Sequence, residues 1–244
     1  MNKAAHPHGW PRRGRVYGPL YLDPHPRRRS DIRGSPRRGA VISGVADTRV
    51  SALLCARLCH ELSGPIAAIN NGVELLADDA DFARVAVELV GDSARQASDR
   101  LQFYRFAYGF AGGGAVAGAG PRELSGRFFD GSRITCEYGE SVAVLPLDWQ
   151  KLACNLLLVG AEALPRGGRL VLAAANLELE ATGETAVLSS EAMAALTLVT
   201  PADALTSRTA QAYFAGLLAA SLGCRLVGSA ELRRVRLTAV ALAD

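Results

Sequence analysis

Two long amphipathic patterns joined by a short acidic connector constrain this chain more than any other feature. Leu54, Leu58, Leu62, Ile66, Ile69, Val73 and Leu76 recur at steps of three and four, which traces an apolar seam along one side of a helix. Phe82, Val85, Leu89, Ala97, Leu101, Tyr104 and Tyr108 repeat the alternation, with an interruption around Asp92 and Ser93. Between the two stands only Ala77-Asp78-Asp79-Ala80-Asp81. So short a turn makes the helices an antiparallel hairpin, and each leaves apolar surface to be covered. A second copy could cover it by closing a four-helix bundle, or the C-terminal half of the same chain could do so.

The chain divides into three parts around this hairpin. Residues 1–40 carry ten Lys and Arg against two Asp, in runs such as RRGR and HPRRRSDIRG, with little apolar periodicity. Such a segment cannot repay the entropy of folding, so residues 1–46 read as a disordered basic tail. The remainder carries 17 basic against 22 acidic residues, so the net charge of +3 belongs to the tail and no general nucleic-acid surface is implied. Residues 47–110 hold the hairpin. The run GFAGGGAVAGAG over 109–120 lacks a following Lys-Ser or Lys-Thr and succeeds a helix rather than a strand, so it reads as a linker and not a phosphate loop. Residues 121–244 form the third part.

That last part mixes strands and helices. Residues 134–138, 141–145, 169–176, 184–188, 224–228 and 232–242 read as strands. Residues 146–164 read as a helix burying Leu147, Leu152, Leu156, Leu157 and Val159; a short helix follows Ser189 or Ser190, and 206–222 is a helix closed by Gly223. The fold class is α+β: a two-helix hairpin followed by a sheet with helices on one face, an α/β sandwich. About half the residues are apolar, enough to bury a real core. No run of about 18 consecutive apolar residues occurs, so no membrane span is expected. Five scattered cysteines suit reduced thiols in a cytoplasm. Cys55 and Cys59 stand one helical turn apart, but without a second matching pair they read as small residues rather than metal ligands.

The chemistry of the folded part converges on one histidine. His6, His8 and His25 all lie in the tail, so imidazole chemistry in the folded part must use His60. At about 100° per residue His60 projects away from the seam. Its face is shared by Leu53, Ala56, Arg57, Ser63, Gly64, Ala67 and Asn71, mostly small or polar side chains that leave room for another molecule. The block His60-Glu61-Leu62-Ser63-Gly64-Pro65-Ile66, continuing through Ile69, Asn70 and the ELL at 74–76, resembles the phosphoacceptor box of sensor histidine kinases.

The segment from Asn155 to Leu164 resembles the asparagine-bearing helix of the histidine-kinase ATP-binding domain. Kinases place a second asparagine where this chain has Val159, which removes an oxygen ligand for a hard cation. The Asp-x-Gly-x-Gly box and second glycine-rich lid are missing between 164 and 244. An acceptor hairpin joined to a domain without nucleotide contacts resembles the ChpT-type bacterial histidine phosphotransferases, over residues 51–244. The resemblance is most specific in ARQASDRLQFYRFAYG, LPLDWQKLACNLLL with ALPRGG, and AQAYFAGLLA. It implies a cytoplasmic homodimer that takes a phosphoryl group from the receiver domain of a hybrid histidine kinase. Delivery is then to CtrA-like response regulators that govern the cell cycle, with no ATP, nucleic acid or membrane as partner.

An aspartyl phosphate is an activated acyl phosphate, so a neutral imidazole can attack it in line and positioning supplies most of the catalysis. Glu61 is placed to take a hydrogen bond from the other ring nitrogen, or else is an ordinary solvated helix glutamate. Pro65 would bend the helix beyond His60. Arg57 and Asn71 would touch the partner's rim or the phosphate, or simply face solvent. Mg2+ would arrive with the receiver, since no carboxylate cluster here would hold it. The rival readings are an active histidine kinase and a non-catalytic dimeric adaptor that binds response regulators; a hydrolase lacks a second histidine to serve its nucleophile.

Overall fold

The computed structural model describes residues 38–78, 83–109 and 119–242. The tail through residue 37, the connector at 79–82 and the glycine run at 110–118 lie outside the described residues. Helix α1 spans Arg38–Asp78 and α2 spans Ala83–Tyr108. Residues 38–46, expected to close the disordered tail, are instead the first turns of α1, which reaches back almost to Pro36, a residue unable to donate within a helix.

The apolar seams do not face each other as simple periodicity suggests. Ile66, Val73 and Leu76 on α1 and Val85, Leu89 and Leu101 on α2 are all exposed. The helices meet through smaller groups, with Pro65 and Gly72 of α1 and Ala86 and Ser93 of α2 buried. A Cβ at Gly72 would stand 2.6 Å from a Val90 methyl and 3.3 Å from the Ala86 carbonyl oxygen, so the absence of a side chain lets the two backbones approach. Ser93, which interrupts the apolar pattern, is itself buried. Ile66, Val73 and Leu76 with Val85, Leu89 and Leu101 therefore make an outer apolar stripe, while Leu54 and Tyr104 of the same seams are buried.

By length and composition one helix segment, Thr48–Ala77, could cross a bilayer, contrary to the expectation from apolar run length. Arg57, Glu61 and Glu74 lie within it, and a charge at the centre of a spanning helix costs about 2.5–3.5 kcal/mol. Its apolarity is accounted for by the hairpin contact and the outer stripe.

After the linker come α3 (Pro121–Phe129), β1 (Ile134–Tyr138), α4 (Glu140–Ala143) and α5 (Leu147–Glu162). The hairpin β2 (Gly168–Ala173) and β3 (Glu178–Thr182) follows, then α6 (Ser190–Leu196), a 3-10 turn (Ala202–Ala204), α7 (Ala210–Ser221), β4 (Cys224–Glu231) and β5 (Arg234–Ala241). The sheet order is β1-β2-β3-β5-β4, with β1 and β2 parallel and every other pair antiparallel. Leu170, Leu172, Leu179, Ala181, Leu226, Val235, Leu237 and Ala239 alternate onto the helix-covered face. The opposite face carries ion pairs, among them Arg169 with Glu137 and Arg236 with Glu178 and Glu180. The two-layer α/β domain is the one expected. Gly160 lets α5 lie close on the sheet, since a Cβ there would meet Leu179 at 2.5 Å and Leu170 at 2.9 Å.

Three local expectations are corrected. Residues 141–145 are not a strand: the Gly139 amide donates to the Leu172 carbonyl at 3.1 Å, and its own carbonyl accepts from Val142, which starts α4. The strand expected at 184–188 lies earlier, at Glu178–Thr182, because the chain reverses at Asn176 and Leu177 with φ of 54° and 37°. That turn contains neither glycine nor proline; burial of Leu177 and a hydrogen bond from the Ala239 amide to the Asn176 carbonyl hold it. Leu147, expected inside, is exposed, whereas Leu152, Leu156, Leu157 and Val159 are fully buried.

Both hairpin helices continue into this core. Val50 and Leu54 of α1 and Phe103, Tyr104 and Ala107 of α2 belong to the same buried cluster as α5 and α7. Arg49 donates to the Leu205 carbonyl at 2.7 Å.

Candidate functional site

His60 is exposed on α1, and Ala56, Ser63, Gly64, Ala67 and Asn71 around it are exposed with it. Nothing lies within 4 Å of where a Gly64 Cβ would stand, so that side of the helix is open. The Ser63 hydroxyl donates back to the Cys59 carbonyl at 2.7 Å, so what it turns to the exposed face is its acceptor lone pairs.

Arg57 does not belong to this open face. Its side chain is only 17% exposed and forms an ion pair with Glu162 at the end of α5. Burial works against the guanidinium charge, but Glu162, with Tyr104 and Tyr108, outweighs it and holds the Arg57 pKa above the ordinary value. Burial pushes the Glu162 carboxyl up, with Arg57 pulling against it, and raises both tyrosines. Arg57 therefore ties α1 to the C-terminal domain one turn before His60, which corrects its expected place among docking residues.

Glu61 lies beside His60 but faces α2. Its Oε2 pairs with Arg100, while Oε1 accepts no hydrogen bond among the described residues. Pro65 stands four residues on and has no N–H, which leaves the Glu61 carbonyl without its helical donor. Arg100 Nη1 approaches that carbonyl too, at 3.5 Å. The helix passes through Pro65 unbroken. The Arg100 guanidinium lies 5.9 Å from the Phe128 ring, which stacks on Phe103 at 4.3 Å. Glu162 of the C-terminal domain, through Arg57, and Arg100 of α2, through Glu61, thus hold the turns flanking His60.

Asn155, aligned by resemblance with the nucleotide asparagine, is fully buried. Its Nδ2 donates to the Ala107 carbonyl at 2.8 Å and the Lys151 carbonyl at 2.9 Å, and its Oδ1 accepts from Gln211 Nε2 at 2.9 Å. Gln211 in turn accepts from the Tyr108 hydroxyl at 2.6 Å. Lys151 donates to the Gly109 carbonyl just past the end of α2, where a cation suits the helix dipole. The polar edge of α5 thus caps α2, and its asparagine has no atom left for a ligand. Among the described residues no group of three or more His, Cys, Asp or Glu is placed to hold a metal ion.

The sequence does not single out Arg100, Glu162 or Gln211. Two signals were present: Gln211 is a polar residue inside an apolar helix, and Pro65 leaves a carbonyl that some donor must satisfy.

Residues 121–232 match the family model described as the histidine phosphotransferase C-terminal domain. Over 125 residues, half of this chain, the sequence is 38% identical to protein phosphotransferase ChpT of Brucella abortus (strain 2308), and the match spans 59% of that relative's length. A solved structure of a bacterial phosphotransferase superposes with a TM-score of 0.63 at 31% identity, covering 78% of this chain and 95% of the other.

Proposed function

The chain belongs to the ChpT-type histidine phosphotransferases, and from that premise we propose that it relays a phosphoryl group between receiver-domain aspartates through His60. One observation carries the reading: the imidazole stands exposed among small exposed residues, while the asparagine that would serve a nucleotide is spent inside the protein. The first feature suits an acceptor that strangers must reach. The second suits a protein that does not make its own phosphoryl group from ATP.

In the proposed step the lone pair of an imidazole nitrogen attacks the phosphorus of the receiver's aspartyl phosphate. An N–P bond forms, and the acyl P–O bond breaks with its electrons leaving on the aspartate carboxylate. The proton on the other ring nitrogen is held by hydrogen bonding, for which the free Glu61 Oε1 is the nearest candidate in sequence. Delivery to a response regulator is the same step in reverse. Mg2+ belongs to the receiver's acidic site, where it neutralises the transferring group. Ala56, Gly64 and Ala67 let the receiver come close, and Asn71 lies at its rim.

The outer stripe of Ile66, Val73, Leu76, Val85, Leu89 and Leu101 supports a homodimer closed as a four-helix bundle. A cytoplasmic relay serving cell-cycle regulators of the CtrA-like kind is the setting we propose. The test is phosphotransfer profiling: purified protein is mixed with a labelled receiver domain of a hybrid kinase, with and without His60→Ala. Wild type should take up label and His60→Ala should not, with unchanged circular dichroism. Transfer by the variant, or label taken directly from ATP, would overturn the reading.

A further inference from the structure

We propose that Arg100 is a positioning residue for phosphotransfer, acting on Glu61; this rests on the relay role of His60. Pro65 deletes the amide that would bond the Glu61 carbonyl, so the turn carrying His60 and Glu61 lacks a helical hydrogen bond where it must be firm. Arg100 Nη1 reaches two of the three acceptor oxygens of Glu61, Oε2 closely and the orphaned carbonyl at 3.5 Å. Both contacts run from Nη1, and the planar guanidinium keeps that nitrogen on Glu61 while its face lies near Phe128, which a flexible ammonium does less well. Phe128 supports the guanidinium from one side, and the Glu61 and Arg100 side chains are 28% and 26% exposed, so neither swings freely.

This anchoring has two chemical consequences. With Oε2 held by Arg100, Oε1 is the carboxylate oxygen left to accept a proton or hydrogen bond beside His60, and the carboxylate has fewer orientations from which to do so. The cation also offsets the Glu61 charge beside an incoming dianionic phosphoryl group, whose approach a bare carboxylate would oppose. Arg100 touches neither imidazole nor phosphate in this arrangement; its influence passes through Glu61.

The experiment is a double-mutant cycle in transfer from a labelled receiver, using the full chain with Arg100→Ala, Arg100→Lys, Glu61→Gln and Arg100→Ala/Glu61→Gln. Arg100→Ala should slow the maximal transfer rate on the order of tenfold to a hundredfold, with little change in the receiver concentration that half-saturates it. Arg100→Lys should fall between wild type and Arg100→Ala, and it keeps the assay informative if the alanine variant melts early. In the Glu61→Gln background, Arg100→Ala should add almost nothing further. Wild-type transfer by both Arg100 variants, a loss confined to half-saturation, or multiplicative effects of the two sites would overturn the inference. His60→Ala in the same assay separates the cases: if it still takes up label, the relay reading itself has failed.

Discussion

The Gln211 side-chain amide donates to Asn155 Oδ1 at 2.9 Å in the centre of the C-terminal domain, and the same Asn155 donates to the last turn of α2 through the Ala107 carbonyl. A residue that resembles a nucleotide ligand has thereby become the joint between two parts of one fold. Asn155→Ala would leave the Gln211 amide and the Ala107 carbonyl buried without partners and would open a small void. We expect a loss of about 2–4 kcal/mol in urea unfolding. A loss under 1 kcal/mol would show that the joint does not matter for stability.

The close approach at Gly72 gives a prediction with a defined sign. Alanine there gains about 1 kcal/mol of helix propensity over glycine. Against this, its Cβ would stand 2.6 Å from Val90, a stiff β-branched side chain in a packed seam. Gly72→Ala should therefore be destabilising by about 1–2 kcal/mol, the overpacking cost less the propensity gain. Gly72→Ala/Val90→Ala should be more stable than the sum of the single changes predicts. Additivity within 0.3 kcal/mol in thermal unfolding, the usual limit for independent sites of about 0.3–0.5, would refute the close contact.

The outer stripe predicts a concentration-dependent assembly. Ile66→Glu/Val73→Glu changes two side chains that are about half exposed in the single chain, so the monomer should change by only about 0.5 kcal/mol per site. A four-helix bundle, by contrast, would have to bury two carboxylates per chain. Light scattering after gel filtration should find dimer for wild type and monomer for the variant. Equal masses would remove the second copy from the account.

What was legible in the sequence was periodicity and the exposed imidazole. Helices α1, α2, α5 and α7 follow from spacing, and a short helix was expected after Ser189 or Ser190; the structure chooses Ser189, whose hydroxyl accepts from the Ala192 amide at 3.1 Å. The turn at Asn176 and Leu177 was not legible, because its support comes from β5, far along the chain. Arg57 faces α5 rather than solvent because Glu162, 105 residues away, neutralises it. Helical geometry fixes which side a residue leaves the axis, and only tertiary partners decide whether that side is solvent. For the same reason periodicity marked the apolar surface but not its cover: Leu54 and Tyr104 are buried in the core shared with the C-terminal domain, whereas Ile66, Val73 and Leu101 are exposed.

Two thiols should resist alkylation for an electrostatic reason. Burial pushes Cys136 and Cys154 up to about 12, with the neighbouring Glu137 adding to the first and the Ser125 hydroxyl partly offsetting the second. Alkylation needs thiolate, so the Cys136 rate should rise about tenfold per pH unit between pH 7.5 and 9.5 while remaining slow. In both cases the folded state keeps a proton that the unfolded chain sheds from about pH 8.5. Their contribution to stability is thus complete below about pH 8.5 and declines as pH rises toward 12. Peptide mass spectrometry after brief iodoacetamide exposure checks the rates; fast labelling of Cys136 at pH 7.5 would contradict the burial.

Cys59 offers a footprint of the assembly itself. It is exposed in the single chain, and Cys59, Ile66 and Val73 follow one another at intervals of seven, the spacing that keeps side chains on one stripe of paired helices. If a second copy covers that stripe, Cys59 is covered with it. Labelling of Cys59 by a maleimide should then slow as protein concentration rises, because alkylation proceeds from the dissociated chain. Ile66→Glu/Val73→Glu should abolish that dependence and leave Cys59 fast throughout. His60, a further 100° around the helix, stays open in either state, so phosphoryl uptake by the dimer should persist under conditions that protect Cys59. A Cys59 rate that ignores both concentration and the stripe variant would show that the exposed seam faces solvent, and the bundle would have to be abandoned while the acceptor role of His60 stood.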